Sequence, residues 1–449
     1  MALIKVEEAL EIILDNIRSL QKAADDFVPS LRSGTVLPQE TAAVHDNKLL
    51  SEANMPFGSE EFEKVAILEA LDRVLAEEIF SDEDIPPFDN SAMDGYAVIA
   101  SDTKGASASQ PAVLEVVEEL PAGYEAAKVV KNGEAIKIMT GAPMPKGADA
   151  VVMVEDTKLE DSRALIFKEI SPGDNVRRAG EDVKKGDKVL QKGTLIRPAE
   201  IGMLAALGKP KITVVRKPRV AILSTGDELV DIGEKLSPGK IRNSNTYSLY
   251  AQIKRLNCIP IDMGIAKDVS TEVKEKIQDG LASADMILIS GGVSVGEYDL
   301  VKDVLIELGI DMKFWKVAMK PGKPMLFGII DSKPVFGLPG NPVSVMISFE
   351  QFVRPALLKM SGRSSIRKPI FKAILDGEIR QKLGRKNFIR AWIEPVNGNY
   401  HAKITGPQGS GILRSMTLAN GLIIVPEDIS HIQTGAEVNV QFFDSPEVD

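Results

Sequence analysis

Asp227 and Glu228 follow a short apolar run, Arg219-Val-Ala-Ile-Leu223, across the turn Ser224-Thr-Gly226. Carboxylates at such a point can hold Mg²⁺ against a phosphorylated ligand, because that ion prefers hard oxygen donors and keeps several waters. The plainer alternative is a turn Asp that caps the following segment. Asp268 precedes the helical pattern at 270–282, where helix capping by Asp268 or Ser270 competes with a role toward a ligand. A second apolar run, Asp285-Met-Ile-Leu-Ile289, leads into Ser290-Gly-Gly-Val-Ser-Val-Gly-Glu-Tyr-Asp299. Ser290, Gly291, Gly292 and Ser294 there permit close approach of backbone to an anion. Asp299 stands at the head of a helix near 300–308, able to cap it or to hold a cation. A third run, Val335-Phe-Gly-Leu338, opens Pro339-Gly-Asn-Pro342-Val-Ser344, with Ser344 in the first turn of the next helix. Lys316, Lys320 and Lys323 form a basic patch in an acidic chain. Strand alternation sets Lys316 and Lys320 on one face, with Lys323 in the turn. Three cations near Gly-rich turns suit a polyanion. None of these turns is a Walker A loop or a Gly-x-Gly-x-x-Gly fingerprint.

The elements that must position these residues follow from the pattern. Apolar runs ending in Gly-rich turns and alternating with helical stretches predict a mostly parallel sheet with crossover helices. Ligands of such sheets sit beyond the carboxyl ends of the strands, where helix N-termini favour an anion, and phosphate above all. Apolar residues at helical spacing predict helices at 6–22 and 65–78, separated by a long loop or insertion at 23–60. Short strand-like runs between 81 and 180 predict a β lobe. A helix at 198–207, ended by Gly208, returns the chain to its helical first region. A helix at 342–360 has Asn341 as N-cap and Pro342 at its first position, with Gly362 beyond its end. Short strands from 369 onward predict a small C-terminal β domain. The expected fold is thus a multidomain α/β protein with a central three-layer α/β domain. Its boundaries read as 1–82 plus 181–216 for a discontinuous helical and linker domain, 83–180 for the β lobe, 217–367 for the α/β domain and 368–449 for the C-terminal β domain.

Composition narrows the function. A formal charge of −10 argues against general attraction to nucleic acid or anionic membrane. One cysteine, Cys258, excludes an intramolecular disulfide framework and a Cys-rich metal site. The three histidines, His45, His401 and His431, have no metal-like spacing. No stretch approaches ~18 apolar residues, so no membrane span is expected. The first eight residues are acidic and lack an apolar signal core, which points to the cytoplasm.

Two further stretches carry polar groups in oddly apolar, turn-rich surroundings. Pro86-Pro-Phe-Asp-Asn-Ser-Ala-Met-Asp94-Gly-Tyr-Ala sets two Asp and a Ser beside Tyr96, and Ile138-Met-Thr140-Gly-Ala-Pro-Met-Pro is the other. Composition alone would leave both as turn chemistry. Together with Ser224-Thr-Gly-Asp-Glu-Leu229, Ser290-Gly-Gly-Val-Ser-Val-Gly296, Lys320-Pro-Gly-Lys-Pro324 and Leu338-Pro-Gly-Asn-Pro-Val-Ser344, however, they closely resemble the molybdopterin molybdenumtransferases, the family of the bacterial MoeA proteins and the gephyrin E domain. The motifs occur in family order across about 62–449 plus the first helix. The resemblance implies an elongated, L-shaped homodimer of four domains whose cleft joins the α/β domain of one subunit to the β lobe of the other. It implies Mg²⁺-dependent insertion of molybdate into adenylylated molybdopterin, releasing AMP. Carried over by motif, it assigns Asp94, Thr140, Glu228, Asp268 and Asp299 to catalysis, with Asp299 and Asp268 toward the metal. Lys316, Lys320 and Lys323 would meet phosphate or molybdate, Pro339, Pro342 and Ser344 would shape the anion loop, and Asp182 would be structural. The implied partners are a second copy, the two substrates and the upstream adenylyltransferase. A scaffold of the same fold and a paralogue handling tungstate are the competing expectations. The stretch at 23–60 departs from the family pattern.

Overall fold

The run Arg219–Thr225 is buried almost throughout, the pattern of a strand covered on both faces rather than one half in water. It is β1 of a six-stranded sheet that also contains β2 (Ile259–Ala266), β3 (Met286–Ser290), β4 (Asp311–Lys316), β5 (Pro324–Ile330) and β6 (Lys333–Leu338). The computed structural model describes residues 3–18, 61–292 and 300–444. The sheet order is β2-β1-β3-β6-β5-β4. The first four strands of that order are mutually parallel, and β5 and β4 complete it antiparallel. Helices Ser270–Ser283 and Leu300–Glu307 cover one face, through Val273, Ile277, Val301 and Leu305. Helix Asn245–Arg255 and the long helix from Pro342 to Met360 cover the other, through Leu249, Ile253, Val345 and Phe352. This is the expected three-layer α/β domain.

The base of the sheet is fastened by one carboxylate. Both Asp285 oxygens accept from the Arg216 guanidinium at 2.7 Å, and Asp285 Oδ2 also accepts the Arg219 backbone N–H at 2.8 Å. The pair is mostly buried, so removing the acid strands a desolvated cation. Asp285→Ala is expected to lower unfolding stability by about 2–3 kcal/mol in urea titration; a change below ~0.5 kcal/mol would show that the fork adds nothing.

Contact density divides the chain into two compact units: residues 1–65, 72–76 and 213–449 form one, and residues 66–71 and 77–212 the other. The first unit also holds the C-terminal β domain, which is a small barrel. Strand Lys386–Val396 pairs with both Asn399–Ile404 and Gly421–Val425, and Phe371–Asp376 and Glu437–Phe442 close the ring between them. The second unit holds the β lobe, a six-stranded sheet in which Gly95–Val98 lies between Ala150–Met153 and Glu134–Ile138. Helix Pro198–Ala206 forms as expected, and Gly208 beyond it takes φ +66°.

Three expectations are corrected. The first helix runs only Val6–Asn16, because Ile17 turns extended and buries its side chain. No helix forms at 65–78. Residues Phe62–Ala66 are a strand paired with Lys211–Val215, Ile67–Ala70 is a single 3₁₀ turn, and Asp72 adopts φ +60°. Extended pairing wins there because Thr213 and Val215 exchange backbone bonds with Ala76 and Val74, while Leu68, which a helix would bury, is 76% exposed. The segment from 342 to 360 is helical throughout, but residues Phe349–Val353 form a π turn. Asn341 occupies its N-cap without a side-chain cap bond, and Pro342 follows at the first position. The insertion expected at 23–60 lies outside the described residues.

Candidate active site

At the carboxyl ends of β1, β2, β3 and β6 the chain encloses a cleft of about 1080 Å³, a size that admits a nucleotide-like ligand. Glu228 and Asp268 reach it from the turns after β1 and β2, and Gly291 and Gly292 from the turn after β3. Pro339 and Ser344 come from the turn after β6 and the helix it starts, and Lys320 and Lys323 from the segment between β4 and β5. These were the positions marked in the sequence, and the topology gathers them as expected.

The turn after β3 shows why glycine is needed. Gly291 has φ +97°, and a Cβ there would stand 2.4 Å from the Thr225 carbonyl oxygen; at Gly292 it would stand 2.4 Å from Val301 Cγ2. Backbone therefore comes closer to the neighbouring strand end than any side chain permits. Ser290 is buried beneath this turn, and its Oγ accepts from Asn245 Nδ2 at 2.9 Å. The same amide donates to the Gly340 carbonyl at 2.8 Å. Asn245, which sequence reasoning missed, thus ties the turn after β3 to the turn after β6. Its place in the polar run Asn243-Ser-Asn-Thr at a helix start was the only signal, and it reads as ordinary capping.

Asp268 does not cap the helix after it. Val269 occupies the N-cap, and that helix has no side-chain cap bond. Instead Asp227 and Asp268 bond reciprocally: each backbone N–H donates to the other's carboxylate, at 3.4 Å to Asp268 Oδ2 and 3.2 Å to Asp227 Oδ1. This lashes the turns after β1 and β2 together, and Glu228 and Asp268 both line the cleft.

Lys316 departs from its expected place. A single strand through 316–320 does not form, because Ile4 bonds to Lys316 and Ala318 while Met319–Lys320 joins the barrel strand Lys386–Val396. Lys316 lies over the Trp315 ring, 4.6 Å from its centroid, and does not line the cleft. Two barrel contributions went unread in the sequence: Arg385, and the segment Gln408-Gly-Ser410. Buried Arg390 holds that segment, donating from Nε to Ser415 Oγ and from Nη2 to the Gly409 carbonyl, both at 3.0 Å. Burial pushes its pKa down to about 10. Asp303 also lines the cleft. Ser294 and Asp299 lie outside the described residues.

The β lobe holds the remaining pair by itself. Asp94 precedes strand Gly95–Val98, Thr140 follows strand Glu134–Ile138, and the antiparallel register Gly95↔Ile138 brings them together. Asp94 Oδ1 accepts the Thr140 backbone N–H and the Thr140 hydroxyl, both at 2.7 Å. Those two bonds, the backbone one first, hold the exposed Asp94 carboxyl below its ordinary pKa. Asp182 is exposed, and its backbone N–H bonds to Ile85 O at 3.0 Å.

Fold and cleft together define a class: a multidomain α/β protein with a cleft beyond the strand ends of a doubly covered sheet, lined by both carboxylates and cations. Comparison with known proteins makes this specific. Residues 4–208 match the MoeA N-terminal region (domain I and II), 221–359 a probable molybdopterin binding domain, and 372–443 the MoeA C-terminal region (domain IV). A molybdopterin molybdenumtransferase of Haemophilus influenzae is 37% identical over 87% of this chain and 95% of its own length. One from Nostoc is 40% identical over 82% of this chain and 86% of its own. The crystal structure of the molybdopterin biosynthesis MoeA protein of Pyrococcus horikoshii OT3 is 35% identical, covering 98% of this chain and 100% of that one, with a TM-score of 0.77. The chain belongs to the MoeA family, the molybdopterin molybdenumtransferases. Among the described residues no helix is long and apolar enough to cross a membrane.

Proposed function

We propose that this protein is a molybdopterin molybdenumtransferase of molybdenum cofactor biosynthesis, inserting molybdate into adenylylated molybdopterin with release of AMP. The observation that carries the reading is the meeting of Lys320, Lys323 and Arg385 with Glu228, Asp268 and Asp303 in one cleft beside a glycine turn. Cations and backbone N–H groups there offset charge on the phosphates and on the oxyanion, and stabilise the charge that develops as AMP leaves. Ser344, in the first turn of its helix, offers a hydroxyl to an oxyanion. Molybdenum's thiolate ligands belong to the pterin, so the enzyme needs no cysteine at the site.

The donor set fits Mg²⁺. Among the described residues no cluster of three or more acidic, His or Cys side chains forms a protein-only cage. Glu228 and Asp268 line the cleft with hard carboxylate donors, the kind Mg²⁺ takes one or two of beside substrate phosphates. Asp268 and Asp299 would hold it, and it would supply charge neutralisation on the phosphoanhydride. The proposal includes a homodimer in which the Asp94–Thr140 pair of a second copy faces this cleft, where Asp94 and Glu228 position water or molybdate. It also includes a cytoplasmic setting and transfer of the pterin from the upstream adenylyltransferase.

The test is AMP release by the purified protein from adenylylated molybdopterin, with Mg²⁺ and limiting molybdate or tungstate. Asp299→Ala is expected to abolish Mg²⁺-dependent release while leaving the thermal midpoint unchanged. Wild-type turnover in that variant would remove Asp299 from the mechanism, and absence of AMP release by the wild-type protein would overturn the reading.

A further inference from the structure

A second cavity, of about 810 Å³, shares no lining residue with the cleft. It lies where helix Asn245–Arg255 and the π turn Phe349–Val353 meet the C-terminal barrel. π turns break the regular helical ladder and recur at functional sites.

Its charges do not cancel. Arg255 pairs with Asp444, and Lys368 with Glu350 at 2.6 Å. Arg354 and Arg363 remain, with no carboxylate bonded to either among the described residues. Arg363 donates outward, to the Asp72 carbonyl at 2.8 Å. Arg354 makes one long bond, 3.4 Å to the Ile366 carbonyl, although a guanidinium carries five N–H groups. Burial is the largest influence on it and lowers its pKa, outweighing the pull of the nearby Glu350 carboxylate. Gln252 uses its amide N–H on Met346 O and Glu350 Oε1, while its own Oε1 is buried with no hydrogen-bond partner. The opposite wall is aromatic: Phe371, Tyr400 and Phe442 pack edge to face with centroids 5.3–5.9 Å apart.

We propose that this cavity is a second ligand site, taking a small organic carboxylate with an aromatic or apolar body. The carboxylate binds the free face of the Arg354 guanidinium, a bidentate match that a planar fork favours. The body packs on the aromatic wall of Phe371, Tyr400 and Phe442. The site goes beyond the reading of the cleft and does not depend on it.

The probe is 4-fluorobenzoate, titrated into the full-length protein and followed by fluorine NMR, beside 4-fluorobenzyl alcohol, which has the same body without the charge. Saturable one-site binding of the acid is expected, with the alcohol at least about tenfold weaker. Arg354→Gln is expected to weaken the acid by about the same factor. Ala419→Trp, at the half-buried rim, should close the cavity without touching a charge, which keeps the test decisive if Arg354→Gln proves unstable. Lys320→Ala should leave acid binding unchanged. The proposal is overturned by equal affinity for acid and alcohol, by binding retained in Ala419→Trp, by binding lost in Lys320→Ala, or by no saturation below about 10 mM.

Discussion

Lys320→Ala is expected to raise the molybdate concentration for half-maximal AMP release by about 10- to 100-fold, with little change in stability. Lys320 is exposed on the cleft and no bonded partner for it is described, so its removal leaves no buried group stranded. Surface substitutions of that kind stay within ~0.5 kcal/mol in stability. The proposed oxyanion, by contrast, would lose one of the cations that line the cleft beside Lys323 and Arg385. Lys320→Arg should recover only part of the loss, because a planar fork does not reproduce a compact ammonium. A steady-state titration of molybdate decides the matter. An unchanged requirement would remove Lys320 from the oxyanion site, whereas a collapse of the thermal midpoint would assign it a structural role.

Gly291→Ala carries the other large effect, and it acts through backbone. At φ +97° an L side chain is strained whatever the space, and here the new methyl meets the Thr225 carbonyl oxygen at 2.4 Å. The turn must shift by about 1 Å for ordinary contact distances to return. Stability is expected to fall by about 2–3 kcal/mol, and turnover by 100-fold or more. The loss of turnover follows because the shift moves the turn after β3, which lines the cleft, away from the bonds that tie Ser290, Asn245 and Gly340 together. Gly239→Ala is the control: that residue also has positive φ, +80°, but a Cβ there has nothing within 4 Å. It should cost about 1–2 kcal/mol, the strain alone, and leave turnover intact. Equal effects of the two substitutions would mean that loop strain, and not close approach at the turn after β3, is what matters.

The three Gly-rich strand ends were legible because both their causes are local. A strand buried on both faces must be continuously apolar, and a turn that lets backbone approach an anion must contain glycine. Helix Pro198–Ala206 was equally legible from Pro at its start and Gly beyond its end. Period failed at 65–78, where Val65, Leu68, Leu71 and Leu75 fit a helix on paper. The strand Lys211–Val215 offers those backbone groups better partners, and it lies some 140 positions further along the chain.

The sequence by itself determined the alternating core, the turn chemistry at its strand ends and, through short motifs kept in order, the family. Tertiary structure alone decided which charges share a space. Asp94 meets Thr140 through a strand register, Arg385 and Ser410 reach the cleft because a barrel closes beside it, and Lys316 leaves it because Ile4 breaks the strand. The physical reason is that hydrophobic period and turn preference act over a few residues, whereas a site is assembled from pairings across dozens to hundreds.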